Sequence, residues 1–255
     1  MKEVFKKSKF VSTQYAKLRK KFKPDILKSQ NEEAQLLKKL LEHHPEIPKT
    51  FVEFGFSGWE FNCSEIALNP DWKGLLIDGD IYNCWIGQAI LGKNIETKHE
   101  WITLENISPT IKKWLKTRAL GILSVDIDGN DYWMLEKLIE IKPSIIIAEY
   151  NSFFEHRSIS VPYDPNFDRR NKHPSLSYYG ASLKALHTLL SSKNYSMIEV
   201  CDSGVNALFL NNDHLRKEDI PLDPERSFQE RTLPEGLTHT GIWEEISDME
   251  YIEIS

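Results

Sequence analysis

The stretch that most constrains the fold is Phe51-Val52-Glu53-Phe54-Gly55-Phe56-Ser57-Gly58-Trp59. A short apolar run enters a glycine-containing turn, and Glu60 to Leu68 can turn back as a helix. Strand, glycine turn and helix, in that order, form the opening unit of a nucleotide-type α/β fold. Glycine lets the backbone come close to a ligand because no Cβ stands in the way. The spacing is not GxGxxG, and Ser57 stands where a third glycine could.

Two later runs extend the same logic. Gly121-Ile122-Leu123-Ser124-Val125 ends in Asp126-Ile127-Asp128-Gly129-Asn130-Asp131, and Ser144-Ile145-Ile146-Ile147-Ala148 ends in Glu149-Tyr150-Asn151. Both runs are continuously apolar, as strands are when helices cover both faces of a parallel sheet. A helix over 132–140 joins them. Trp72 to Ile77 is a further strand ending in Asp78-Gly79-Asp80, followed by a helix over 82–92. Residues 94–97 form a weak strand, and Ser108-Pro109 opens another helix. Carboxyl ends of adjacent strands line one crevice. Asp126, Asp128, Glu149 and Asn151 are therefore expected to converge.

The end-of-strand acids suggest a ligand. A pyrophosphate over the first turn would be repelled by Glu53, whereas the ammonium and sulfonium of S-adenosylmethionine would be attracted. Asp78 is placed to hold a ribose diol, with Asp80 beside it; the bland alternative is a turn acid. Glu105-Asn106 is placed for an adenine contact, although Asn106 or Ser108 could equally be an N-cap. Asn62 and Ser64 can serve as caps or as ligand contacts.

The remaining segments are less regular. Residues 1–47 read as an N-terminal helical arm. Lysines 2, 6, 7, 9, 17, 20, 21 and 23 with Arg19 make its first part basic. Ser29 and Glu32 have capping-box spacing for the helix that follows, and His43-His44 ends it as helix-terminal histidines or a metal pair. Residues 152–177 are a long loop with aromatics, prolines and Arg169, Arg170, Lys172 and His173, the pattern of a substrate lid for an anionic group. Tyr178 to Ser191 is helical, and 195–200 and 205–210 are a final antiparallel pair. The core is expected over 48–212, with 213–255 as a C-terminal extension.

Composition excludes several classes. The chain has 255 residues, with 40% hydrophobic and 27% charged, enough for one large α/β domain. A net charge of −6 offers no global attraction to nucleic acid. The 3 cysteines lack metal or disulfide spacing and fit a cytoplasmic setting. No apolar run reaches the ~18 residues of a membrane span. The partner is expected to be a small molecule; the oligomeric state is open, a dimer included.

Taken together, FVEFG with Asn62, WKGLLIDGD, WITLENI, ILSVDIDGNDYW, IIIAEYN, SVPYDPNF, YYGASL and SGVNALFL resemble the FkbM-like class I S-adenosylmethionine-dependent methyltransferases over about residues 48–211. Similar members lie in gene clusters for capsule or lipopolysaccharide decoration, including those for capsular O-methyl phosphoramidate. The resemblance implies a Rossmann-like, mostly parallel seven-stranded sheet with helices on both faces, and S-adenosylmethionine as methyl donor. It implies a cofactor site of Glu53, Gly55, Ser57, Gly58, Asn62, Asp78, Asp80, Glu105, Asn106 and Asp126. A looser analogy to magnesium-dependent small-molecule O-methyltransferases points to Asp126, Glu149 and Asn151 as ligands of Mg²⁺.

The reading is O-methylation of a small anionic precursor in surface-polysaccharide modification, or alternatively of a sugar hydroxyl. Asp128, His173 and Asn151 are the catalytic candidates. Tyr150, Arg169, Arg170, Lys172 and Tyr179 are the substrate candidates. Two rivals stand outside this class. Asp126-Ile127-Asp128-Gly129 resembles the nucleophile loop of haloacid-dehalogenase phosphatases, but that loop normally opens its domain. The other is a non-catalytic protein that binds a partner through the basic arm. An EF-hand is excluded because Asp131 occupies its glycine position.

Overall fold

In the computed structural model, which describes residues 8–23, 26–29 and 32–255, the apolar runs assemble into one seven-stranded sheet. The strands are β1 (Thr50–Phe54), β2 (Lys73–Asp78), β3 (Ile95–His99), β4 (Ile122–Val125), β5 (Ile145–Glu149), β7 (Tyr195–Val200) and β8 (Asn206–Asn211), in the order β3-β2-β1-β4-β5-β8-β7. The first five run parallel, and β8 is antiparallel to both β5 and β7. That order, with one reversed strand next to the last, is the Rossmann-like class I methyltransferase fold.

Side chains alternate along each strand between two apolar layers. Phe51, Ile122, Ile145 and Ile147 pack on one face with α1 (Lys9–Phe22), α2 (Glu33–His43), α3 (Ser64–Ala67) and α4 (Ile81–Ile90). Val52, Leu123, Val125 and Ile146 pack on the other with α5 (Ile107–Leu115), α6 (Asp131–Leu138) and α8 (Leu183–Ser191). Two covered faces explain why β4 and β5 are apolar at every position rather than at alternate ones. Where the chain enters β1 and β4, Thr50 Oγ1 donates to Ala119 O at 2.7 Å and accepts from Gly121 N at 2.9 Å, which fixes the starts of both strands.

Several element boundaries differ from the expectation. The helix after the first turn is a single turn, because most of 56–63 is spent on the bend that brings the chain back over β1. Helix α2 begins at Glu33, not after a Ser29 cap, and Glu32 precedes it without a side-chain cap. Tyr178 to Ala181 is not helical, with a bend at Gly180, and α8 starts after Ser182, whose hydroxyl caps Ala185 N. His43 is exposed while His44 is buried between Glu46 and Asp219, so the two diverge and form no metal pair. Lys2, Lys6 and Lys7 lie outside the described residues. The rest of the basic arm is α1, which packs on α4 and sets Arg19 over Trp59 at 4.8 Å.

The long loop carries structure. It contains β6 (Ile159–Ser160) and the short α7 (Arg169–Lys172). The tail returns to cover it through α9 (His239–Ile246) and β9 (Ile252–Glu253), and β9 pairs antiparallel with β6. Phe153, Phe154, Val161, Tyr178, Ile242 and Ile246 make a third apolar cluster between them. No described helix is long and apolar enough to cross a membrane.

Candidate active site

A cleft of about 660 Å³ opens at the carboxyl ends of β1, β2 and β4, lined among others by Gly55, Asp78, Asp80, Trp101, Asp126 and Arg169. Its floor depends on Gly55. That residue has φ +74°, and a Cβ there would lie 1.6 Å from Asp126 O. The turn after β1 is thus pressed on the end of β4 at a contact only glycine permits. Ser57 also lines the cleft. Gly58 does not. Its N–H donates to Asn83 Oδ1 at 3.1 Å, and an added Cβ would meet Ile86 at 2.7 Å, so this glycine seats the turn on α4.

Glu53 lies away from the cleft wall. Its carboxylate is buried and accepts from Asn62 N at 2.6 Å and Cys63 N at 2.9 Å. Burial, only partly offset by these bonds, raises its pKa to about 7. The acid therefore clamps the turn to the strand instead of facing a ligand ammonium. Asn62 is buried as well, donating to Ser124 Oγ at 3.1 Å. Neither residue lines the cleft, and both are bonded within the scaffold.

Asp78, the last residue of β2, stands on the cleft wall. Its Oδ1 accepts from Asp80 N at 2.6 Å and Asn83 Nδ2 at 3.1 Å, while Oδ2 accepts nothing from the described residues. Burial raises its pKa. Asp80 also faces the cleft and caps α4, accepting from Tyr82 N at 2.9 Å. The adenine side differs from the expectation. Glu105 is exposed, and Asn106 ties Thr103 N and Trp101 O together within its own loop. Neither lines the cleft; His99, Glu100, Trp101 and Ile102 do. A tryptophan two residues past the end of β3 was the available signal. Trp101 is half exposed, and its indole N–H reaches across to Pro165 O at 2.8 Å, roofing the cleft.

At the inner end, β4 and β5 bring acids together. Asp126, Asp128 and Glu149 each offer an oxygen, and these lie within 4.8 Å of one another. Asp126 and Glu149 are pushed well above the usual carboxylate range, by burial first and then by neighbouring acids. Asp128 is exposed, adopts φ +55°, and is bonded by Arg169. Asp131 holds the loop, accepting from Ile127 N at 2.9 Å and Gly129 N at 2.8 Å, and burial raises its pKa to about 6.

Asn151 does not join this cluster. Its Nδ2 donates to Ser177 O and Tyr179 O, and its Oδ1 accepts from Phe153 N. It pins the segment around Ser177 and Tyr179 to the end of β5 and does not line the cleft. His173 lies off the cleft wall, turned to Ser175 Oγ at 2.8 Å. Tyr150 is buried and donates to Gln229 O at 2.9 Å, so it tethers the tail. Tyr179 is buried under Arg169, whose guanidinium carbon lies 3.9 Å from the ring centre. The lid cations each have an acidic partner: Arg169 with Asp128, Arg170 with Asp168 at 2.9 Å, and Lys172 with Asp164 at 2.6 Å. Arg169 and Arg170 face the cleft, and Lys172 does not.

No family model and no curated protein sequence matches the chain. Among solved structures, it is similar to the N-terminal domain of EvdMO1 with S-adenosylhomocysteine bound, at 11% identity over 72% of this chain and 81% of that one, with a TM-score of 0.44. The same domain in the presence of S-adenosylhomocysteine and D-fucose gives 10% identity over 71% and 82%, at 0.43. Human N-acetylserotonin methyltransferase in complex with S-adenosylmethionine gives 11% over 80% and 56%, at 0.37. The fold is defined by the chain's own strand order and register rather than by these distant likenesses.

Proposed function

We propose that the chain is an S-adenosylmethionine-dependent O-methyltransferase. The observation that carries the reading is Asp78 at the end of β2, with Oδ2 open beside a cleft whose floor is the glycine-only contact of Gly55 on Asp126. A carboxylate with a free oxygen there suits a ribose diol. Trp101 supplies an apolar plane for a base on the same wall.

The methyl donor would supply an electrophilic carbon on sulfur. An acceptor hydroxyl that took this methyl group would have to give up its proton, which Asp128 is placed to accept. The chain's task is alignment and proton acceptance. Asp128 is the exposed carboxylate of the inner cluster on the cleft, and Arg169 stacked on Tyr179 fixes its position.

The anionic acceptor suggested by the basic lid has less support than a hydroxyl. Arg169, Arg170 and Lys172 are already matched by acids, while the inner end holds three carboxylates. The acceptor proposed is therefore a sugar hydroxyl of a surface-polysaccharide precursor. A phosphatase acting through Asp126 has less support still. The DxDG loop follows β4 instead of opening the fold, and no lysine is among the described residues lining the cleft.

Calorimetric titration with S-adenosylmethionine and S-adenosylhomocysteine tests the reading. Binding in the micromolar range is expected, followed by turnover on hydroxyl acceptors. No binding of either ligand sinks it. Binding without turnover on any acceptor favours the non-catalytic alternative.

A further inference from the structure

The cations of the 152–177 loop are matched by acids, but those of the N-terminal helix are not. Helix α1 carries Lys9, Lys17, Arg19, Lys20 and Lys21 and no acid, in a chain whose net charge is −6. Among the described residues no acid pairs with Lys9, Lys17 or Lys21. The inner side of the helix is spent on the scaffold. Ser12 and Ala16 are fully buried, and the helix packs on α4. Lys20 Nζ donates to Ile90 O, Arg19 lies 4.8 Å over the Trp59 ring, and Tyr15 meets that ring edge-on at 6.4 Å. The outer side is open. Phe10 is 73% exposed, Leu18 57% and Phe22 76%, with Val11 beside them at 38%. Val11, Leu18 and Phe22 are spaced seven and four residues apart, which sets them in one line along the helix. Lys17 and Lys21, one turn apart and exposed, share the adjoining line with Phe10. A single exposed leucine is ordinary, but two phenylalanines this open on one helix mark a contact surface.

We propose that the outer face of α1 docks on an anionic lipid surface, lying flat in the interface. Val11, Leu18 and Phe22 would enter the acyl boundary, and Lys17 and Lys21 would meet the headgroup phosphates. An apolar line flanked by basic residues, rather than length, defines such a helix. The inner contacts hold α1 in place before it docks, so docking adds little ordering cost. Charge selects the occupant. Headgroup phosphates complement the unpaired lysines, whereas a second copy of the same face would set like charges together. At physiological salt the screening length is about 8 Å, so a surface meets the local charge of this helix and not the net charge of the chain. The face stands whatever the cleft binds.

The test is co-sedimentation of the full chain with phosphatidylcholine vesicles, with and without phosphatidylglycerol. Sedimentation is expected only with phosphatidylglycerol, and it should fall as salt is added. The double variant Lys17→Gln, Lys21→Gln and the double variant Phe10→Ser, Phe22→Ser should each weaken it at least about tenfold. All four side chains are exposed, so both variants should keep the circular dichroism and nearly the thermal midpoint of the parent. Lys113→Gln, at an exposed lysine of α5, should sediment like the parent. No sedimentation with either vesicle, or sedimentation that either double variant leaves intact, overturns the proposal. A parent that is dimeric in light scattering and turns monomeric with Phe10→Ser, Phe22→Ser would put a second copy on the face and overturn it as well. So would binding of a single-stranded RNA oligonucleotide, lost with Lys17→Gln, Lys21→Gln, by a chain that ignores vesicles.

Discussion

At the scale of single residues, the site rests on contacts that tolerate little change. Gly55→Ala places a Cβ 1.6 Å from Asp126 O at φ +74°, so we expect a loss of about 4 kcal/mol or more, or no folded protein, in urea denaturation. Gly92→Ala, with nothing within 4 Å of the new carbon, should stay within about 1 kcal/mol of the parent. Glu53→Gln keeps the shape but can serve only one of the two amides, and should cost about 1–3 kcal/mol at pH 5. The sign of its pH dependence follows from the raised value. Between about 4.5 and about 7 the folded state binds the proton more tightly than the unfolded chain, so this group's contribution to stability falls as pH rises. The gap between parent and Glu53→Gln should therefore narrow from pH 5 to pH 8, by roughly 1.4 kcal/mol for every tenfold difference in proton affinity between the folded and unfolded chain. A gap that widens would contradict the burial argument. Asp78→Asn keeps an acceptor for Asp80 N yet loses the charge offered to a ribose, so S-adenosylhomocysteine should bind about tenfold or more weakly with little change in stability.

At the scale of elements, the 152–177 loop is a built structure. Asn130 and Asp164 exchange two hydrogen bonds, at 2.8 and 3.2 Å, and Phe167 sits on Gly129, so the loop after β4 and the lid move together or not at all. The tail holds the other side. Trp243 stacks with Arg157 at 3.8 Å and packs on Phe154 and Tyr251, and Tyr178 Oη donates to Glu250 O at 2.5 Å. Trp243→Ala should increase hydrogen exchange in 153–167 while the exchange of β4 and β5 stays near that of the parent. Equal loss of protection in the sheet would mean that the lid and sheet open as one unit.

At the scale of the whole molecule, two apolar layers share one sheet. Ile146 faces the layer with α5, α6 and α8, and its neighbour Ile147 faces the layer with α1 to α4. Either truncated to alanine leaves a cavity in a fully buried layer, and each should cost about 2–5 kcal/mol. Because every β5 backbone bond is common to both layers, each variant should unfold in a single transition with coincident fluorescence and circular dichroism midpoints. Separate midpoints would show that the layers unfold independently.

The sequence by itself determined the sheet and which strand ends carry acids. Continuous apolar runs at 121–125 and 144–148 require two covered faces, and acids at the ends of adjacent parallel strands gather at one end of the sheet. What it left open was where each side chain turns. Glu53, Asn62, Tyr150 and Asn151 have the chemistry of ligand contacts, yet each is claimed by a group distant in sequence: the amides of Asn62 and Cys63, Ser124 Oγ, Gln229 O, and the carbonyls of Ser177 and Tyr179. The charge of the 152–177 loop was legible, and Asp164 and Asp168 that pair with Lys172 and Arg170 lie in the same segment; only the pairing of Arg169 with Asp128 depends on which loops meet. Trp101 likewise became cleft wall only because the lid carries Pro165 O to its indole. Periodicity and strand ends are local properties of a chain. Whether a polar side chain serves a ligand or the scaffold is decided by which hydrogen-bond partners the folded chain brings within reach.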